Sequence, residues 1–241
     1  DAITFAILIE EVARVCASSS LIPGVQKLGT MPILLAGSEE QKKAWLPPLA
    51  SGEELISYCL SEAGSGSDAA GMASTARRDG DSYVLNGTKS WITGASVADA
   101  FVVTAKTDPD AGARGISMFY VRADDPGLSI GKKEDKLGIR GSPTCQVHLD
   151  DCRIPADRLI GREGEGFKIA LRALDHTRLT IGAQAVGIAQ GAIDVAREYV
   201  TQREQFGKPI GAFQGVSFML ADMAVETEAA RNLVYVAAAK A

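Results

Sequence analysis

The change in hydrophobic periodicity along the chain is the feature that most constrains its fold. Residues 1–56 carry apolar side chains at helical spacing, as in Ile3, Ala6 and Ile7. Residues 57–163 instead hold short runs rich in β-branched and aromatic residues, separated by glycine and proline, which is typical of strands. Helical spacing returns from residue 164. We therefore predict an α+β protein with three parts: N-terminal helices (1–56), a central antiparallel β domain (57–163) and a C-terminal helical bundle (164–241).

Local signals predict where several helices begin and end. Asp1 is a candidate N-cap, and Ser38 with Gln41 forms a capping-box pattern. Proline breaks helices, so we expect Pro47 and Pro48 to stop the helix that follows this box. In the third part we expect three helices, over about 167–178, 181–203 and 212–241.

The dipeptide Asn86-Gly87 lies between two strand-like segments, 83–85 and 90–92. Asn-Gly favours a type I′ turn, so we expect a hairpin at this point. Such a hairpin would return Trp91 to the sheet that carries Ser61.

Composition excludes several classes of function. The 241 residues carry a net charge of -5, which disfavours nucleic acid as a partner because phosphate backbones select basic surfaces. Four cysteines without a C-x-x-C pair and only two histidines predict reduced thiols and no zinc site. No apolar run reaches the length of a membrane span, and no signal peptide is visible.

Both ends of the chain have the character of internal sequence. The chain begins at Asp1 without a methionine and enters helical periodicity at once, and it stops at Ala241 within a helical pattern. We therefore expect a longer protein that is truncated here at both ends.

The turn Gly64-Ser65-Gly66-Ser67 can present backbone N–H groups to an anion, because glycine adopts conformations that other residues avoid. Alone it is weak evidence, since an ordinary loop has the same composition and the dinucleotide fingerprint is absent. Trp91 adds an aromatic face for stacking, although a lone tryptophan more often packs in a core. Together the two elements suit a flat cofactor that carries phosphate.

The segments 58–68 and 86–93 resemble the flavin-binding signature of the acyl-CoA dehydrogenase family. Five further segments resemble that family in the same order: 46–53, 136–142, 151–155, 164–167 and 203–210. The resemblance covers essentially the whole chain, and 131–136 is most similar to short-chain and branched-chain members.

This resemblance implies FAD-dependent α,β-dehydrogenation of a fatty acyl-CoA thioester to the trans-2-enoyl-CoA. It also implies a homotetramer that passes electrons to an electron-transferring flavoprotein, in the bacterial cytoplasm or, alternatively, the mitochondrial matrix. Two alternatives stay open. One is a flavin oxidase or monooxygenase of the same fold, such as an acyl-CoA or nitroalkane oxidase, and the other is a non-catalytic flavin-binding subunit.

The resemblance also assigns roles to residues. The Ser61 hydroxyl would bond to the reactive edge of the flavin, Trp91 would cover its face and Thr93 would bond to the ring edge. The full cofactor set is Tyr58, Leu60, Ser61, Gly66, Ser67, Trp91, Ile92, Thr93, Arg203, Phe206 and Gln214, of which the last three would reach the FAD of a neighbouring subunit. The acyl-CoA set is Ser67, Asp175, Thr177 and Arg178.

The chain departs from the family pattern at Ala63, where proline is usual, and at Gly94, where asparagine is frequent. The catalytic glutamate of the family lies either late in the helical domain or at the position that Thr177 occupies here. We therefore expect the base beyond Ala241. Glu62 and Asp68 are expected to cap backbone N–H groups rather than serve as the base.

Overall fold

The computed structural model describes all 241 residues. It divides into two compact units, which we describe separately: a sheet unit, Val25–His176, and a helical unit made of Asp1–Gly24 and Thr177–Ala241. The division into three domains predicted above stays a prediction.

Helices flank a central run of strands, as predicted. The helices are α1 (Ala2–Val15), α2 (Ala17–Ala36), α3 (Glu39–Ser51), α4 (Gly166–Gln202) and α5 (Gln214–Lys240). The strands are β1 (Ile56–Cys59), β2 (Thr75–Asp79), β3 (Ser82–Thr93), β4 (Ala100–Lys106), β5 (Ile116–Arg122), β6 (Leu128–Ile130), β7 (Thr144–Pro155), β8 (Leu159–Ile160), β9 (Glu204–Gln205) and β10 (Lys208–Pro209).

Both predicted helix caps are present. The Asp1 carboxylate accepts from the Thr4 N–H at 2.8 Å at the start of α1. At the start of α3, the Ser38 hydroxyl accepts from the Gln41 N–H at 3.2 Å, and the Gln41 side chain accepts from the Ser38 N–H at 2.9 Å.

The prediction that Pro47 and Pro48 stop α3 was wrong, because the helix continues to Ser51. Each proline lacks a backbone N–H group and so costs the helix one hydrogen bond, but α3 continues past both of them. The extra turn also buries Leu49, which is 1% exposed. The helix ends where Gly52 takes the left-handed conformation, with φ of 80°.

The predicted break between residues 178 and 181 was also wrong, since α4 is one helix of 37 residues. No proline interrupts the helix there, and Leu179 and Thr180 are compatible with helical backbone. By length and composition alone α4 could cross a membrane, which corrects the expectation that no segment is long enough. A single helix of this kind is weak evidence for a membrane span.

The sheet has eight strands in the order β6-β7-β3-β2-β4-β5-β8, with β1 paired to β4. Most pairs are antiparallel, as predicted, but β1 runs parallel to β4, and β2 meets β4 in parallel at Thr75 and Lys106. The sheet is therefore mixed. The chain between Cys59 and Ala100 is long enough to act as the crossover that a parallel pair requires.

The hairpin predicted at Asn86-Gly87 was wrong. Strand β3 runs straight through this dipeptide, and the tight turn lies at Gly80-Asp81, between β2 and β3. The register of β3 with β7 shifts between Leu85 and Gly87, so Asn-Gly marks a β-bulge rather than a turn. The Asn86 amide exchanges two hydrogen bonds with Asp151 of β7, which fixes the bulge.

Alternate residues of the central strands face two separate cores. Phe101 and Val103 of β4 belong to one apolar cluster, and Ala100 and Val102 belong to the other. The period of two places these clusters on opposite faces of the sheet. In the second cluster Trp45 of α3 stacks on Tyr120 with ring centroids 4.2 Å apart.

Replacing Gly87 with alanine should destabilise the sheet unit. Gly87 has φ of 144°, and a Cβ atom there would lie 2.3 Å from the Ser74 hydroxyl oxygen. We expect the free energy of unfolding to fall by about 2–3 kcal/mol, as for a strained backbone position. Gly138→Ala is the matched control, because nothing lies within 4 Å of its Cβ position. Urea denaturation measures both, and equal stability of the two variants would contradict this prediction.

Candidate cofactor-binding site

A cleft of about 410 Å³ opens in the sheet unit beside the end of β1 and the end of β3. It brings together all eight residues that the sequence assigned to the cofactor in segments 58–67 and 91–93: Tyr58, Leu60, Ser61, Gly66, Ser67, Trp91, Ile92 and Thr93. The remaining wall consists of Val25, Leu28, Ser90 and Leu174. None of these lining residues is charged.

One wall of the cleft is the turn after β1. The Glu62 and Ser65 backbones exchange hydrogen bonds of 3.0 and 3.1 Å, and the Ser65 hydroxyl donates to the Asp68 carbonyl at 2.6 Å. The turn is thus closed with alanine, not proline, at position 63. Ser61 lies just after β1, and its carbonyl accepts from the Ser90 N–H at 2.9 Å, so the two walls are joined.

The other wall depends on a second irregularity of β3. Its register with β7 shifts between Lys89 and Ile92, and Trp91 within this bulge has φ of 59°. Such a conformation is uncommon for a bulky residue. Trp91 is 57% exposed and lines the cleft, so it is not a core residue. The bulge presents its indole to the cleft.

Three residues after Trp91, Gly94 also has a positive φ, of 78°. A Cβ atom there would lie 3.2 Å from the Ser57 hydroxyl oxygen, which donates to the Thr93 carbonyl at 2.8 Å. The local backbone therefore suits glycine at position 94, where the family pattern often has asparagine.

Two hydroxyls in the cleft wall are buried without a partner, those of Tyr58 and Ser90. Burial raises the pKa of Tyr58 well above 10.0. Buried polar groups usually have hydrogen-bond partners, but the hydroxyls of Tyr120 and Thr180 are also buried without one and lie outside the cleft, so these atoms alone do not identify a ligand. An uncharged lining with hydroxyl side chains, an exposed aromatic face and a glycine-rich turn together fit a planar, polar ring system that carries phosphate.

Behind the cleft lies an ion pair that the sequence reasoning missed. Lys89 is completely buried, and its ammonium group lies 2.8 Å from Glu62. Burial lowers the pKa of Lys89, and the Glu62 carboxylate opposes that shift. A lysine at an inward position of a strand, facing the acidic motif residue, was the signal that could have revealed it.

Glu62 caps backbone N–H groups, as predicted. Its carboxylate accepts from the N–H groups of Ala73 and Ser74 at 2.6 and 3.1 Å. Burial raises the pKa of Glu62, but hydrogen bonds from Lys89, Ser74 and Ala73 outweigh burial and leave the pKa below 4.5. The prediction that Asp68 also caps backbone N–H groups was wrong, because its side chain makes no capping hydrogen bond.

The other residues assigned by resemblance lie outside this cleft. Asp175 belongs to the sheet unit, on α4. The rest belong to the helical unit: Thr177, Arg178, Arg203, Phe206 and Gln214. Arg203 lies just after α4, and Gln214 begins α5. Phe206 is 94% exposed, and its ring lies nearly perpendicular to that of Phe213, with the ring centroids 6.0 Å apart.

The low pKa of Glu62 predicts a specific acid sensitivity. Its ionised form stabilises the fold above pH 4.5, and this contribution is lost as the pH falls through the lower folded-state pKa. Glu62→Gln should therefore flatten the decline of unfolding free energy below that pH. Glu39→Gln is the control, since Glu39 is 74% exposed in its pair with Lys42. Denaturant titrations at several acidic pH values measure the unfolding free energy. The prediction is contradicted if this free energy declines with falling pH as steeply in both variants as in the wild type.

Models of three successive domains of one family match the chain. The acyl-CoA dehydrogenase N-terminal domain matches residues 1–53, the middle domain 57–152 and the C-terminal domain 164–241.

Relatives and solved structures agree with these matches. The chain is 59% identical over its full length to a probable acyl-CoA dehydrogenase, fadE25, of Mycobacterium leprae, of which it covers 62%. It is 51% identical over 239 residues to the mitochondrial short-chain specific acyl-CoA dehydrogenase of Homo sapiens, covering 99% of this chain and 58% of that protein.

Among solved structures, butyryl-CoA dehydrogenase from Megasphaera elsdenii superposes on all of this chain with a TM-score of 0.98 and 43% identity, over 63% of its own length. An acyl-CoA dehydrogenase of Bacillus anthracis, complexed with FAD, superposes on 95% of this chain and 39% of its own with a TM-score of 0.90 and 41% identity. The chain thus spans less than two thirds of the relatives it matches. The three domain matches in order, and the similarity along the full chain, establish that it belongs to the acyl-CoA dehydrogenase family.

Proposed function

We propose that this chain is part of an FAD-dependent acyl-CoA dehydrogenase that converts a fatty acyl-CoA thioester to its trans-2-enoyl-CoA. The observation that carries the proposal is the cleft in which Ser61, Trp91 and Thr93 converge with the glycine-rich turn. The relatives named for short-chain acyl-CoA and butyryl-CoA support a short acyl group as substrate.

FAD, when bound, supplies the acceptor for the hydride that leaves the β-carbon. The residues of this chain bind and orient the cofactor. In our proposal the Ser61 hydroxyl donates to the reactive edge of the ring, Thr93 bonds to the ring edge and Trp91 covers a face and excludes water. Gly66 and Ser67 are placed near the pyrophosphate and the acyl-CoA, because the glycine-rich turn offers backbone N–H groups.

The helical unit is proposed to serve the active site of an oligomer. Arg203, Phe206 and Gln214 would contact the FAD of a neighbouring subunit in a homotetramer. The exposure of the Phe206 ring, 94%, supports an intersubunit role, since large aromatic groups are enriched at interfaces. Asp175, Thr177 and Arg178 are proposed to contact the CoA moiety together with Ser67.

The proton from the α-carbon requires a carboxylate base with a raised pKa. No aspartate or glutamate lines the cleft. The nearby Glu62 accepts four hydrogen bonds and has a lowered pKa, which suits a structural role better than a catalytic one. We therefore propose that the base is a glutamate of the full-length protein outside these 241 residues.

We further propose that the electrons pass to an electron-transferring flavoprotein. The cellular location would be the cytoplasm of a bacterium, with the mitochondrial matrix as the alternative, since relatives of both origins exist.

An anaerobic titration of the full-length protein with butyryl-CoA and with a longer acyl-CoA tests the proposed function. We expect bound flavin to lose its yellow absorption with at least one thioester, because the hydride reduces the ring. A bound flavin that stays oxidised with both would contradict dehydrogenation and favour a non-catalytic subunit. Rapid reoxidation of the reduced flavin by oxygen would instead identify an oxidase.

Arg203→Ala should weaken retention of FAD. The change removes a charge-assisted hydrogen bond to phosphate, worth roughly 1.5–3 kcal/mol. Arg197→Ala is the matched control, because Arg197 is another exposed arginine near the end of α4. Equilibrium dialysis of FAD gives the affinities, and an Arg203 variant that binds FAD as tightly as the control would show that the assignment is wrong.

A further inference from the structure

The proposed function leaves one unusual group without a role, the buried ammonium of Lys89. It is 0% exposed and is among the largest fully buried side chains of the chain. A buried ion pair is weak evidence for stability, because well-packed apolar residues often replace one without loss. A reason specific to this place in the fold is therefore needed.

The contacts of Lys89 lie on both sides of Ser61. The ammonium group donates to the Leu60 carbonyl at 3.2 Å and to the Glu62 carboxylate at 2.8 Å. Its third contact is the Met72 sulfur at 3.8 Å. One side chain thus holds the backbone immediately before Ser61 and the side chain immediately after it.

The backbone of Lys89 leads directly into the bulge that presents Trp91. Lys89 still pairs in register with Val147 of β7, and the register shifts after it. The next residue, Ser90, donates its N–H to the Ser61 carbonyl at 2.9 Å. Lys89 therefore connects the segment that carries Ser61 with the segment that carries Trp91.

Glu62 in turn fixes this connection to the interior of the unit. Its carboxylate accepts from the Ala73 N–H at 2.6 Å and from the Ser74 hydroxyl at 2.6 Å. Ser74 also approaches Gly87 of β3, where its side chain occupies the space of a missing Cβ. The ion pair is thus part of a network that reaches the cleft wall at Leu60 and extends to Gly87 of β3.

We propose that Lys89 and Glu62 are positioning residues, which hold the Ser61 hydroxyl and the Trp91 indole at the separation that the flavin ring requires. This inference rests on the proposed function. The pair acts through the two walls and does not itself line the cleft. Its removal should therefore change cofactor binding even where the fold survives.

The test compares two double variants of the full-length protein. Lys89→Met/Glu62→Gln removes both buried charges and keeps an amide oxygen for the Ala73 and Ser74 hydrogen bonds. Arg158→Met/Asp125→Asn is the control, since this ion pair of the sheet unit has side chains 21% and 10% exposed and lies outside the cleft lining. The measurements are the FAD dissociation constant, the absorption spectrum of bound FAD and the thermal unfolding midpoint.

A fourth measurement reports the position of Trp91 without any cofactor. The chain has two tryptophans, so a Trp45→Phe background leaves Trp91 as the only indole. The emission maximum of Trp91 and its quenching by acrylamide are then compared with and without the ion pair.

We expect the Lys89→Met/Glu62→Gln variant to bind FAD roughly ten- to hundredfold more weakly than the control variant, a loss of the size seen when the groups that orient metal ligands are removed. We also expect a shifted flavin spectrum and altered quenching of Trp91. Equal FAD affinity and unchanged Trp91 quenching would overturn the proposal, even if the unfolding midpoint falls. Should the double variant not fold, Glu62→Gln alone decides, and FAD affinity equal to wild type would overturn the proposal.

The two proposals fail in different ways. If the wild-type protein binds no FAD, the proposed function is wrong, and the fluorescence of Trp91 still tests the positioning role. If the wild type binds FAD and the double variant binds it equally well, only the positioning role is wrong.

Discussion

The pairing of β3 with β7 is the constraint on which the cleft depends. These two twelve-residue strands lose register at two places, after Leu85 and after Lys89. The first bulge is closed by the Asn86 and Asp151 side chains, and the second turns Trp91 out of the sheet with a positive φ. A regular strand would send alternate side chains into the cores, so the second bulge gives the cleft its aromatic wall.

The chemistry of the cleft depends on two features: the residues that line it, and the absence of any carboxylate among them. The carboxylate of Glu62, which follows Ser61 in the chain, is engaged by Lys89, Ser74 and Ala73. The wall that remains is neutral, with hydroxyls, a glycine-rich turn and an indole. Such a surface can bind and orient a cofactor, whereas proton abstraction requires a group from elsewhere in the protein. We therefore propose that cofactor binding and proton abstraction depend on different parts of the protein.

Many helices, strands and cleft residues could be predicted from the sequence, and the predictions that were wrong have physical reasons. Helix caps at Asp1 and Ser38 are local, so three or four residues suffice to predict them. Asn-Gly signals irregular backbone, but whether it becomes a turn or a bulge depends on the partner strand, here Asp151 of β7.

The continuity of α3 through Pro47 depends on burial of Leu49, which a local pattern does not report. In the same way, eight of the twelve residues that line the cleft could be selected by their motifs, but the Lys89 and Glu62 pair joins positions 27 residues apart. The pair becomes visible only in the folded chain, where the turn after β1 lies beside Lys89 of β3.

A crystal structure of the full-length protein reconstituted with FAD tests the central claim most directly. We expect the isoalloxazine ring in the cleft of the sheet unit, with the Ser61 hydroxyl and Thr93 within hydrogen-bond distance of its edge and Trp91 against it. Ring density at any other place, or a ring in the cleft with no contact to Ser61 or Trp91, would contradict it.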